Sequence, residues 1–265
     1  MGDAIGQDAF GDLGKAAVIV AHPGHELMVY HWMERHRPLY FCLTDGSGGG
    51  ARSRMASTGR LIDKMGVAAG RLYGRYADKE IYRLLLDGRV EVFVGLAREL
   101  AGALTAAGVE CVAGDAPEGF NPVHDVCRFL IDGALAMMQR QTGRRLRNYD
   151  FVLDNPPDTC PEPLRAGALW LRLDEAALER KLEAALAYPE LREEVQAAVQ
   201  RFGRQAYGVE CLRPAATRSM IGRFETERPA YERSGQIRVS EGVYSEVIRY
   251  REHVLPVLAA IEAAA

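Results

Sequence analysis

The sequence predicts an α/β fold: a Rossmann-like three-layer sandwich with a mostly parallel sheet and a helical, loop-rich C-terminal elaboration. Short apolar, β-branched runs alternate with helix-like segments at least four times over residues 15–158, a pattern typical of a parallel sheet covered on both faces. The chain has 265 residues, 48% of them hydrophobic and 26% charged, which is an ordinary globular composition. This length is enough for one large core or for two smaller domains.

The predicted strands are short apolar runs, and the predicted helices are longer segments with apolar residues on one face. The strands are predicted at 16–21, 39–44, 71–76, 109–113 and 150–153. The helices are predicted at 27–36, 52–65, 90–107 and 126–138, within 174–202 with a break near Tyr188, and at 243–264, and residues 211–238 are interpreted as irregular.

Proline and glycine set the predicted boundaries of the first three helices. Pro38 ends the first one, because proline disfavours helical backbone in the residue before it. Gly66 and Gly108 follow the second and the third, where a glycine commonly closes a helix. The third helix carries a stripe of apolar residues that marks its buried face: Val94, Ala97, Leu100 and Leu104.

Composition divides the chain into three parts. Residues 1–14 are small and acidic and lack the charged-then-apolar pattern of a signal peptide, so we interpret them as a flexible leader. Residues 15–158 form the predicted Rossmann-like core. Beyond Asp158 the chain becomes rich in Glu, Ala, Leu and Arg, and residues 159–265 are predicted to form a cap integrated with that core.

Charge and cysteine usage narrow the classes of partner. A formal charge of −3 gives no general attraction to nucleic acid or to an anionic membrane, and no apolar run approaches the ~20 residues that span a bilayer. The five cysteines are scattered without a CxxC pair, which favours free thiols in a reducing cytoplasm. We therefore expect a cytoplasmic protein with a small-molecule substrate, and the sequence leaves open whether it forms a homo-oligomer.

Polar side chains with metal-binding chemistry follow two of the predicted strands. His22, His25 and Glu26 come directly after the first strand, and His124 stands at the start of the helix after the fourth. Because the carboxyl ends of parallel strands meet at one edge of the sheet, these side chains should share a rim. Imidazoles at this spacing are suited to a metal ion. The alternative is a polar pocket that holds no metal.

A glycine-rich loop, 45–50, follows the second strand and belongs to the same rim. It lacks the Lys-Ser/Thr of a phosphate loop, and the first strand–turn carries HPGHE in place of the dinucleotide-binding glycines. The loop is interpreted either as a flexible lid over a substrate or as a plain connector.

Four short motifs together resemble the PIG-L/LmbE-like family of N-acetylglucosaminyl deacetylase-like proteins. They are AHPGHE after the first strand, TDG after the second, Asp78 after the third, and NPVHD at a helix start. The resemblance covers residues 15–153, in the family's order. Members of the family usually carry AHPDDE at the first site and HPDH, or a similar His-x-x-His, at the second.

The resemblance implies a zinc ion, or another divalent transition metal, held by His22, His25 and His124. It implies hydrolysis of an N-acyl group, such as an N-acetyl group, on an amino sugar or a glycoconjugate. The family's usual general base falls on Gly24, which cannot accept a proton, and the leading histidine of its second motif falls on Asn121. Restoring the acid, Gly24→Asp, is expected to raise the rate or leave it unchanged.

Three carboxylates are candidates for the missing base: Glu26, Asp125 and Asp45. A second set is predicted to contact the substrate: Arg54, Asp78 and Asn121. The loss of the usual base also keeps other functions open. One is a non-hydrolytic relative that binds a sugar-like or nucleotide-linked ligand, and another is a different metal-dependent reaction.

Overall fold

A sheet of seven strands runs through the computed structural model, which describes residues 13–48 and 52–265. Most of the predicted leader, residues 1–12, and the end of the glycine-rich loop, residues 49–51, lie outside the described residues. The strands are β1 (Ala16–Val20), β2 (Leu39–Thr44), β3 (Ala69–Tyr76), β4 (Cys111–Asp115), β5 (Arg147–Phe151), β6 (Leu169–Arg172) and β7 (Val209–Pro214).

Helices cover the sheet throughout the described part of the chain. They are α1 (Tyr30–His36), α2 (Met55–Met65), α3 (Asp78–Leu86), α4 (Val90–Ala107), α5 (Pro122–Thr142), α6 (Glu162–Arg165), α7 (Glu175–Leu186), α8 (Arg192–Phe202), α9 (Thr217–Ile221), α10 (Ala230–Ser240) and α11 (Leu255–Ala264). None of these described helices combines the length and the apolar character needed to cross a bilayer.

The strand order is β3-β2-β1-β4-β5-β7-β6, and the five strands from β3 to β5 are parallel. From β1 the chain first builds towards β3 and then returns to add β4 on the other side of β1. The carboxyl ends of β1 and β4 therefore flank the point where the strand order reverses, which is where open α/β sheets bind ligands.

Two apolar layers enclose β1, and all five of its residues are buried. Ala17 and Ile19 pack in the layer that contains α4, α5 and α11. Val18 and Val20 pack in the opposite layer, with α1 and α2. Alternate residues thus meet helices on both faces, which explains why β1 reads as a continuous apolar run. The structure confirms the predicted α/β sandwich with a mostly parallel sheet.

The first half of the chain follows the sequence prediction closely. The observed β2 and α4 have the predicted bounds, and α1 ends at His36, just before Arg37-Pro38. One element was not predicted: α3 begins at Asp78, directly after β3.

The last third required more correction. Its interpretation as helical and loop-rich was incomplete, since β7 pairs antiparallel with both β5 and β6 and so extends the sheet. The strand β7 contains two charged residues that are buried and paired, Glu210 with Lys181 and Arg213 with Asp150, which hide its apolar pattern. The stretch 211–238, predicted to be irregular, includes most of α10. The closing helix α11 is preceded by a π-helical turn, Tyr250–Val254, so the helical backbone begins at Tyr250 and not at Val243.

Candidate metal centre

Three histidine rings meet at the carboxyl ends of β1 and β4. His22 and His25 stand in the turn after β1, and His124 lies in the first turn of α5, whose first residue is Pro122. The distances between ring centroids are 5.3 Å for His22–His25, 5.1 Å for His22–His124 and 4.5 Å for His25–His124. The structure thus brings the three predicted ligands together at the switch point of the sheet.

Buried carboxylates hold two of these rings in a fixed orientation. The Nδ1 atom of His22 lies 2.9 Å from Oδ1 of Asp78, and Nδ1 of His25 lies 2.9 Å from Oδ2 of Asp115. A carboxylate accepts hydrogen bonds, so each Nδ1 carries the proton and each Nε2 keeps a free lone pair. Carboxylates placed behind histidines in this way orient metal ligands and raise their basicity.

Some of the remaining ring nitrogens are buried without a partner in the described part of the chain. They are Nε2 of His22 and Nδ1 of His124. An unpaired buried polar atom costs about 1–3 kcal/mol, so a histidine cluster that keeps two of them calls for a ligand.

Burial also sets the charge state of the cluster. It lowers the pKa of His25 and of His124 well below the usual value, and neighbouring imidazoles lower both further. Burial raises the pKa of Asp115 to about 7, against the hydrogen bond from the backbone N–H of Ala21. Burial would also raise the pKa of Asp78, but the hydrogen bond from His22 lowers it well below its usual range. The lowered pKa of His25 and of His124 favours the neutral imidazole, which is the form that binds metal.

The spacing and chemistry of the cluster fit one divalent ion. Three imidazoles on a tetrahedral zinc ion, with bonds of about 2.05 Å, would hold their ring centroids about 5 Å apart. The observed range is 4.5–5.3 Å. The donor atoms are not yet arranged to coordinate an ion. In residues 13–48 and 52–265, no three His, Cys, Asp or Glu side chains stand in metal-binding geometry. The residue set fits the ion, while the coordination geometry itself is not formed.

A cavity of about 370 Å³ opens beside the three histidines, within the size range of small-molecule sites. All three predicted substrate contacts line it: Arg54, Asp78 and Asn121. Asn121 also caps α5, its Oδ1 accepting from the N–H of Val123, while its Nδ2 donates to the hydroxyl of Tyr82 at 3.3 Å.

Asp78 has a clearer role than substrate contact. Its Oδ1 accepts from His22 and its Oδ2 accepts from the backbone N–H of Gly48, so both oxygens are engaged. It holds a histidine and ties the start of the glycine-rich loop to the site.

The three carboxylates predicted as bases do not line this cavity. Both oxygens of Glu26 accept hydrogen bonds, Oε1 from Thr58 and Oε2 from Tyr40 and from the backbone of Gly24. Asp125 is fully buried, with Oδ1 accepting from the N–H of Gly119.

Burial raises the pKa of Asp125 to about 8 and also raises that of Glu26. Asp45 accepts from the N–H of Ser47 in a local turn. All three carboxylates lie near the site in sequence but are engaged in holding its loops.

Gly24 occupies a position that only glycine suits. Its φ is 108°, a conformation that side chains disfavour, and a Cβ added there would overlap Cδ1 of Leu191. Leu191 immediately precedes α8, so the C-terminal region fills the space next to Gly24. The expectation that Gly24→Asp preserves or raises activity therefore has to be revised.

Sequence reasoning missed Asp115, Asp154 and Tyr82. Asp115 ends β4 and Asp154 follows β5, so the rule that placed the histidines at strand ends also applies to them. Asp154 lines the cavity, and burial raises its pKa. Tyr82 lies in α3, the helix that was not predicted, so nothing in the sequence reading pointed to it.

No protein-family model matches the chain, and no curated protein matches it by sequence. Among solved structures it is similar to a deacetylase–bog complex from the teicoplanin biosynthesis pathway, with 15% identity and a TM-score of 0.52 over 76% of this chain and 97% of that one. It is also similar to a deacetylase–teicoplanin complex from that pathway, with 14% identity and a TM-score of 0.51 over 76% and 98% of the two chains. At this level of identity the likeness establishes a shared α/β fold.

Proposed function

We propose that this chain is a metal-dependent amide hydrolase that removes an N-acyl group, of the N-acetyl type, from an amino sugar or a sugar-linked metabolite. The observation that carries the proposal is the cluster of three histidines at the switch point, two of them held by buried carboxylates, in the wall of a cavity. The order of motifs and the fold shared with deacetylases support the same reaction class.

His22, His25 and His124 would hold the ion, zinc or another divalent transition metal. When bound, such an ion polarises an amide carbonyl and lowers the pKa of water. Asp78 and Asp115 would keep two of the rings in the tautomer whose Nε2 is free, and their loss would weaken metal binding before it altered chemistry.

Hydrolysis breaks the amide C–N bond and joins the water oxygen to the acyl carbon, giving a carboxylic acid and an amine. One proton must travel from the water to the amine nitrogen. The described carboxylates that line the cavity are Asp78, Asp154 and Glu194, and Asp78 is engaged with His22. Asp154 is the better candidate proton carrier of the other two, because burial raises its pKa whereas the side chain of Glu194 is mostly exposed.

Neutral and cationic hydrogen-bond donors lie around the same cavity. The Tyr82 hydroxyl accepts from Asn121, which leaves its own proton free for a substrate oxygen, and Arg54 also lines the cavity. These groups are suited to the carbonyl and the hydroxyls of an amino sugar or a glycoconjugate.

A second candidate is a non-hydrolytic protein that binds a sugar-like or nucleotide-linked ligand in this cavity. The observation that favours it is Gly24. The resemblance would place a base there, but the position has a glycine backbone conformation and the apolar side chain of Leu191 fills the adjacent space. A different metal-dependent reaction at the same histidines is the third.

The division into a core, 15–158, and a cap, 159–265, and a cytoplasmic location remain predictions. The five cysteines are free thiols in the structure, which is compatible with that location.

The test is release of acid and amine from a panel of N-acylated amino sugars, including N-acetylglucosamine conjugates, by protein supplied with Zn²⁺, Co²⁺ or Ni²⁺. We expect turnover with at least one metal, and loss of turnover in His22→Ala. His31→Ala is the matched control, because His31 lies outside the cavity and bonds to Glu34. Tight binding without turnover on any substrate would favour the second candidate.

A further inference from the structure

The helix α8 presents an apolar stripe that the protein buries only in part. Leu191, just before the helix, is followed on one helical face by Val195, Ala198, Val199 and Phe202, and all five line the cavity. Yet α8, every residue of which is described, contains no buried residue. A helix normally packs such a stripe fully against another element, whereas here Val195 packs against the core and the rest of the stripe on α8 stays half-buried.

The opposite wall of this part of the cavity is apolar too. Leu182 and Ala185 of α7 face it, together with Leu27 and Met28 from the turn after β1. The nearby cation, Lys181, is already paired with Glu210 at 2.8 Å. We call the space between α7, α8 and this turn the apolar arm of the cavity. It offers an apolar ligand contacts on both sides.

The apolar arm begins next to the histidines. Leu191 packs over Gly24, and Gly24 precedes His25 in the chain. A group that lies in the arm while the reacting carbonyl faces the histidines has to be attached close to that carbonyl. The acyl chain meets this condition, because its first carbon is bonded to the carbonyl itself. A sugar is better suited to the side with Arg54, Tyr82 and Asn121.

Resting on the proposed function, we propose that the apolar arm binds the acyl chain of the substrate, so that the preferred substrates carry a chain of several carbons in place of acetyl. An acetyl group would leave the stripe on α8 in contact with water. Each CH₂ group transferred from water to an apolar site raises affinity by about fourfold. Even with only part of an eight-carbon chain buried, we expect the octanoyl amide to bind at least about tenfold tighter than the acetyl amide.

The experiment measures binding of N-octanoylglucosamine and N-acetylglucosamine by isothermal titration calorimetry, with Zn²⁺ supplied and with EDTA. Ala198→Trp fills the arm from a half-buried position on the stripe. Ala197→Trp is the matched control, since Ala197 is the neighbouring residue of the same helix, is exposed and does not line the cavity. We expect Ala198→Trp to remove most of the preference for octanoyl and Ala197→Trp to retain it.

Equal affinity for the two amides on the unmodified protein would overturn the inference, as would identical behaviour of the two tryptophan variants. The comparison of octanoyl with acetyl amide uses the unmodified protein, so it still tests the acyl-binding arm if Ala198→Trp does not fold. Acid release is followed in parallel. Preference for octanoyl without hydrolysis would refute the hydrolase but leave the acyl-binding arm, whereas hydrolysis without a preference would refute only the arm.

Discussion

The contact between Gly24 and Leu191 gives a prediction that depends on the structure alone. In Gly24→Ala the new Cβ has to adopt a φ of 108° and also overlaps Leu191. The backbone conformation costs about 1–2 kcal/mol, and overpacking adds about 1–3 kcal/mol. We therefore expect Gly24→Ala to lower the free energy of unfolding by about 3 kcal/mol. In a Leu191→Ala background only the backbone cost remains, so the two substitutions should couple by the lost overpacking, about 1–3 kcal/mol.

Urea denaturation followed by tryptophan fluorescence, on the parent, both single variants and the double variant, measures this coupling. Gly95→Ala is the matched control: Gly95 is exposed in α4, and a Cβ there meets nothing within 4 Å. It should stabilise the protein by about 0.5–1 kcal/mol. Additive effects of Gly24→Ala and Leu191→Ala would refute the contact. If the contact holds, Gly24→Asp gains activity only when Leu191 is also shortened.

Three further predictions concern the polar groups around the site and the sheet. Asp115→Asn should lower metal affinity by about 10–100-fold, measured by competition with a chelating dye, because it weakens the support behind His25. Asp154→Asn should lower kcat by about 10²–10⁴-fold while metal content stays unchanged; an unaffected kcat would exclude it as the proton carrier. Arg213→Met should lower the free energy of unfolding by about 3–5 kcal/mol at pH 8, because it leaves Asp150 buried and unpaired. The loss should be smaller at pH 5, where that carboxyl, whose pKa burial already raises, takes up a proton more readily; equal losses would contradict the pairing.

The sequence predicted the parallel half of the sheet because its signals are local. β1 and β2 are apolar on both faces, and Pro38 and Gly66 mark helix ends. β7 was missed because Glu210 and Arg213 are charged, and their partners are distant in sequence, so only the folded chain shows why they are tolerated in a strand.

The histidine cluster could be predicted because strand ends in a parallel sheet share one edge. The residues behind it could be predicted less well. Asp115 also lies at the carboxyl end of a parallel strand, but it follows an ordinary apolar run and belongs to no recognisable motif. The contact of Leu191 with Gly24 joins segments that are far apart in the chain, so no local sequence pattern could reveal it.

Motif reading alone also could not place the candidate bases relative to the cavity. Glu26 and Asp125 flank predicted ligands in sequence, yet their oxygens accept backbone and side-chain hydrogen bonds that hold the loops of the site. Both residues are close to the histidines along the chain. Whether their side chains face the cavity depends on how the folded chain packs, which the sequence does not show.

Metal content tests the central claim most directly. The measurement is the number of transition-metal ions per chain, by mass spectrometry, in protein dialysed against Zn²⁺ and then against metal-free buffer. We predict one ion per chain for the parent and for His31→Ala, and much less than one for His22→Ala and for His124→Ala. An unchanged content in either of the last two variants, or none in the parent, would contradict the three-histidine metal centre.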